Sequence, residues 1–108
     1  MGCSQNQENM KPYVIEVTTF KYQETVDADK FWAEDGNIER IYTSQQPGFI
    51  SRESGYSANE NEVVVVVRWK SESDADASMN KFMGDASVQN YVNMIDGPTM
   101  KMARYEVR

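Results

Sequence analysis

Five valines in a row, Val63–Val67, stand inside the stretch Glu62–Lys70, EVVVVVRWK. Such a run has no polar position at any spacing, so neither face of the element it forms meets water cheaply. β-Branched side chains suit a pleated backbone, and the run is too short for a buried helix. It is expected to be the central strand of a small domain, apolar on both faces and closed by Trp69.

The rest of the chain sets the scale of that domain. A chain of 108 residues builds one modest core, which a partner chain often completes. The net charge of −6 argues against nucleic acid or an anionic membrane as partner. The absence of histidine removes the commonest metal ligand and general base. No metal or cofactor is expected: there is no phosphate-cradling glycine loop, no cysteine or histidine ligand spacing and no nucleophile elbow. The single cysteine, Cys3, allows no internal disulfide.

No apolar run is long enough to span a membrane, and a cytoplasmic location is expected. Residues 1–11 are polar and aperiodic and read as a flexible tail, leaving 12–108 as the domain. Two sharper readings of the tail exist. Gly2 invites myristoylation, but Asn6 stands where that motif wants Ser or Thr. Cys3-Ser4-Gln5-Asn6 resembles a processed lipoprotein start, which would anchor the chain through Cys3 if the true start lies upstream.

Tyr13–Tyr22, YVIEVTTFKY, alternates and reads as a strand. One face carries Tyr13, Ile15, Val17 and Thr19, the other Val14, Glu16, Thr18 and Phe20. A helix is expected from about Asp27 to Ser44, with Ala28, Phe31, Ile38 and Tyr42 on one stripe and Asp35 on that same stripe. Gln46-Pro47-Gly48 turns the chain into a strand, Phe49–Ala58, and Asn59-Glu60-Asn61 makes a hairpin into the valine strand. Ser71-Glu72-Ser73-Asp74 has capping-box form. It opens a helix to about Met83 that is expected to bury Ala75, Met79, Phe82 and Met83. A second helical piece reaches Ile95, Gly97-Pro98 stops it, and Thr99–Val107 is the last strand. The order βαββαβ predicts an α+β, ferredoxin-like domain: a four-stranded antiparallel sheet with helices on one face. The other face is apolar enough to call for a sister subunit, hence a homodimer through the sheet.

The strand VIEVTTFK (Val14–Lys21), the turn Pro47-Gly48-Phe49 and the junction VVVRWKSESDADAS (Val65–Ser78) together resemble the dimeric α/β-barrel superfamily, and within it the antibiotic-biosynthesis-monooxygenase-like domains. The resemblance implies two protomers packed sheet to sheet. It also implies a small-molecule cavity between each sheet and its own helices. Among the activities it brings is cofactor-free oxygenation of polycyclic phenols, by deprotonation and then electron transfer from the anion to O₂. The haem-degrading branch is similar at Trp69, but it holds iron with a histidine that this chain lacks.

Two carboxylates are candidate bases: Glu16, in the middle of a buried strand, and Asp35, on the apolar stripe of a helix. Each has a structural alternative, an ion pair with Arg52, Arg68 or Arg104 for Glu16 and solvated surface for Asp35. Trp69, Tyr42 and Tyr91 are candidate substrate contacts or else core, with Arg68 as a stabiliser of an anion. Trp32 is a weaker candidate, set at the rim or at a dimer contact. Methionines in the second half suit an adaptable apolar pocket or an ordinary core. The expectation is a homodimer that binds a small apolar or aromatic molecule, as a cofactor-independent monooxygenase acting on a phenol. The alternative is a ligand-binding or assembly module without catalysis.

Overall fold

The computed structural model describes residues 11–108. The tail reading and Cys3 therefore lie, but for Lys11, outside the described residues. The strands are β1 (Tyr13–Tyr22), β2 (Phe49–Ser57), β3 (Glu62–Trp69) and β4 (Ile95–Val107). The helices are α1 (Ala28–Ile41), α2 (Glu72–Phe82) and the short α3 (Gln89–Met94). The order is βαββαβ, and the four strands form one antiparallel sheet in the order β2-β3-β1-β4. This is the ferredoxin-like arrangement expected from the sequence.

The valine strand is one of the two central strands. Val63, Val65, Val67 and Trp69 are buried, while Val64, Val66 and Arg68 between them are half-buried. The burial alternates because the strand period is two. Val14, Glu16, Thr18 and Phe20 of β1 lie in register with Trp69, Val67, Val65 and Val63, which sets all eight on the helix-covered face. The core is completed there by Phe31 and Ile38 of α1, Ala75 of α2, and Val88, Tyr91 and Ile95. Each fully buried large apolar side chain among these contributes about 1.5–3 kcal/mol over its exposed state. The other face presents Ile15, Val17, Val64 and Val66 with no helix or strand among the described residues over them.

Both longer helices begin at a side-chain cap, the second as its capping-box sequence predicts. Asp27 caps α1 by accepting from the Lys30 amide, and Ser71 caps α2 by accepting from the Asp74 amide at 3.1 Å. α1 ends at Ile41, short of Ser44, and a 3₁₀ turn over Thr43–Gln45 takes the chain on.

Two local expectations are corrected. β4 begins at Ile95, so Gly97-Pro98 lies inside a strand. β4 is an edge strand, where a proline costs no ladder bond on its open side. A register shift opposite Thr19–Lys21 absorbs the irregularity, and the Lys21 amide donates to Thr99 Oγ1 at 2.9 Å instead. Met83 is 55% exposed, since α2 has already ended at Phe82 and the chain is turning away.

Candidate functional site

A cavity of about 90 Å³ lies between the sheet and the helices. Its floor is Glu16, Thr18, Val65, Val67, Arg52 and Trp69 of the sheet. Ile38, Tyr42, Ser78, Met79, Phe82 and Tyr91 come over it from the helical side, and Met83 and Met100 are also among the residues that line it. Most of that surface is apolar, and the polar groups converge at two places.

At one of them Glu16 is 5% exposed. Its Oε2 accepts from Arg104 Nε at 2.9 Å, and its Oε1 accepts from Trp69 Nε1 at 3.3 Å. Arg104 is the cross-strand neighbour of Glu16 on β4, so register supplies the pair. Arg104 also donates to Asp76 of α2. Burial works against the charge of this guanidinium, and its bonds to Glu16 and Asp76 more than restore it, raising its pKa above the ordinary arginine value.

At the other, Asp35 of α1, Arg52 of β2 and Tyr91 of α3 form a buried triad. Arg52 Nη2 donates to Asp35 Oδ1 at 2.9 Å, and its Nη1 donates to the Asp35 carbonyl at 3.3 Å. The Tyr91 hydroxyl donates to Asp35 Oδ1 at 2.6 Å. Burial alone would raise the Asp35 carboxyl. The bonds and charge of Arg52, with the hydroxyl of Tyr91, overcome that and hold it below the ordinary carboxylate range. Ser54, beside the same carboxylate, adds to the lowering although its Oγ meets no hydrogen-bond geometry. The Tyr91 phenol is pushed far above its usual range, first by burial and then by the Asp35 charge, so it stays a donor. Asp35 does not line the cavity itself; it holds Arg52 and Tyr91, which do.

Tyr42 reaches the cavity wall and donates to the Ser78 carbonyl at 2.7 Å. Burial raises its phenol pKa, and the nearby Asp85 charge adds to the rise. Trp69 is 1% exposed and lines the cavity with its indole turned to Glu16. Five of the seven candidates, Glu16, Asp35, Trp69, Tyr42 and Tyr91, thus lie at the cavity or in the triad that borders it.

The other two do not. Arg68 sits on the opposite face of the sheet, half-exposed, with Nη1 at 3.4 Å from Glu53 Oε2. Adjacent residues of one strand point to opposite sides, so Trp69 and Arg68 cannot share a cavity. Trp32 packs its ring edge-on against Phe31 and Tyr56, at centroid distances of 5.0 and 6.2 Å, away from the lining. The guanidinium that does face the cavity is Arg52. The sequence reading considered it only as an ion-pair partner. Its register opposite Val67, with Ser54 and Tyr56 opposite Val65 and Val63, sets it on the helix-facing side, and the weak alternation of β2 gave the sequence no signal of that. Among the described residues no group of His, Cys, Asp or Glu is arranged to hold a metal ion. No helix among them is long and apolar enough to cross a membrane.

No family model matches the chain, and none of the curated proteins does. Solved structures do match. SnoaB, a cofactor-independent oxygenase from Streptomyces nogalater, superposes with a TM-score of 0.69 at 14% identity, over 90% of this chain and 94% of that one. A dimeric ferredoxin-like protein of unknown function from Thermobifida fusca gives 0.67 at 14%, covering 90% and 93%. A conserved protein from Methanosarcina mazei gives 0.70 at 10%, covering 94% and 99%.

Proposed function

We propose that this chain is a homodimeric protein that binds a small aromatic molecule between sheet and helices and oxygenates it without a cofactor. Its ferredoxin-like fold is shared with a cofactor-independent oxygenase and with a dimeric protein of unknown function; at these identities the likeness is one of fold. The observation that carries this reading is the apolar cavity with one carboxylate, Glu16, in its lining. A single-ring phenol fits the scale of the cavity once the flexible Met79, Met83 and Met100 yield. Glu16 takes the phenolic proton. The electron-rich anion gives one electron to O₂, and the radical and superoxide combine into a ring hydroperoxide. Protonation and loss of water leave a new carbonyl. The protein supplies a proton acceptor, orientation and exclusion of solvent. Asp35 is locked in charge by Arg52 and serves to position Arg52 and Tyr91 rather than to move protons. The partner subunit covers Ile15, Val17, Val64 and Val66 on the far side of the sheet.

A second reading is a ligand-binding module without turnover. It is favoured by the engagement of both Glu16 oxygens, one by Trp69 and one by Arg104. Hydroquinone under ¹⁸O₂ with EDTA and no added cofactor separates the two. An oxygenase gives ¹⁸O-labelled hydroxyquinone above the spontaneous rate, and Glu16→Gln loses it. Saturable binding of hydroquinone with no label overturns the oxygenase reading and leaves the second.

A further inference from the structure

The two polar clusters are not scattered around the cavity. They lie in one row across the sheet. Arg104 of β4 is in register with Glu16 of β1, Glu16 with Val67 of β3, and Val67 with Arg52 of β2. All four positions face the helices. Val67 is thus an apolar tile with an anion on one side and a cation on the other. Glu16 and Arg52 stand two strand spacings apart, about 10 Å between their backbones.

Each end keeps unused hydrogen-bonding capacity. The carboxylate of Glu16 accepts one bond on each oxygen and has lone pairs to spare. At Arg52, Asp35 engages Nη1 and Nη2 and the Tyr91 hydroxyl lies close enough to interact with the guanidinium, while Nε–H makes no hydrogen bond among the described residues. Both residues line the cavity. Both are also held fast: Glu16 by Trp69 and Arg104 on one side, Arg52 by Asp35 on the other. A ligand that meets them loses little to reorganisation, because the polar groups are already fixed.

From this row we propose that the cavity selects a flat, single-ring ligand with opposed polar ends. A hydroxyl or N–H at one end donates to Glu16. A carbonyl, nitrile or oxyanion at the opposite end accepts from Arg52, and the ring lies over Val67. This rests on the small-molecule reading above and narrows it to para-substituted rings. A ring with both polar groups on neighbouring carbons leaves one end of the row unsatisfied, and a hydrocarbon leaves both, so each binds more weakly although it fits the same space.

Calorimetric titration of the full chain with 4-cyanophenol, 2-cyanophenol, phenol, benzonitrile and toluene tests this. The expected order is 4-cyanophenol first, about tenfold tighter than phenol, benzonitrile or the 2-isomer, as one added net hydrogen bond supplies. Toluene comes last. Glu16→Gln should shrink the advantage of 4-cyanophenol over benzonitrile, because a neutral amide oxygen accepts from the ligand hydroxyl more weakly than a carboxylate does. The ligand series on the unmodified protein needs no variant to fold. Equal affinities across the series overturn the opposed-ends proposal and leave small-molecule binding standing. Absence of binding by all five overturns both.

Discussion

Asp35 shows how one residue on a helix stripe decides the character of a site. Its carboxylate is 8% exposed and faces an Arg52 side chain that is 4% exposed. Removing one member of such a pair leaves the other buried without compensation, which costs about 3–5 kcal/mol. Asp35→Asn should therefore lower stability by about that amount at pH 7, measured by urea unfolding. The pH dependence has a definite sign. The folded-state pKa of Asp35 lies below its ordinary 3.8. Its charge thus contributes stability above that value, and the contribution is lost as pH falls through the lowered folded-state value. The gap between wild type and Asp35→Asn should narrow as acid protonates the wild-type carboxyl. A gap unchanged into strong acid would show that the cost comes from packing and not from the ion pair. The sequence marked Asp35 as odd, because it interrupts an apolar stripe. It did not reveal the partners, which come from β2 and α3, 17 and 56 residues away.

Among the elements, the junction of β2 with α2 is the tightest fit. Gly48 has φ of 82°, and a Cβ there would stand 2.6 Å from Asp74 Cβ and nearer still to its carboxylate. The Gly48 carbonyl accepts from the Lys70 amide at 2.8 Å, which ties the start of β2 to the end of β3. Gly48→Ala should destabilise the protein by about 1–3 kcal/mol from the backbone alone, and further through the clash with Asp74. Thermal unfolding should show the loss, and a change under 0.5 kcal/mol would mean that the turn relaxes freely. Strand identity and face were legible because alternation around Glu16 and the Pro-Gly turn leave few other folds. The limits of β4 were not, since Gly97-Pro98 reads locally as a stop and only the edge position of the strand makes it tolerable. The cavity role of Arg52 was hidden for a related reason. β2 alternates weakly, with most of its residues half-buried, so only its register against β3 shows which side the guanidinium takes.

For the whole molecule, the decisive surface is the sheet face with Ile15, Val17, Val64 and Val66. Val66 lies between Val17 and Glu53 in register, near its middle. A glutamate there would set a charge in the middle of the proposed subunit contact and next to Glu53. Val66→Glu should convert a dimer of twice the chain mass into a monomer by sedimentation equilibrium, with far-UV circular dichroism unchanged, because the side chain points away from the core. A wild-type protein that sediments as a monomer at micromolar concentration would remove the sheet-to-sheet arrangement.

The placement of the five valines inside the sheet has a last consequence, for a subunit of the proposed dimer that stands alone. β3 has β1 and β2 along both margins, so its peptide groups keep their ladder partners whether or not another subunit is near. What such a lone subunit exposes is a greasy plane and not, along β3, a row of unmet amides. A lone subunit is therefore prone to stick face-on and reversibly, while growth of a cross-β fibre through this most amyloid-like stretch first requires tearing the sheet open.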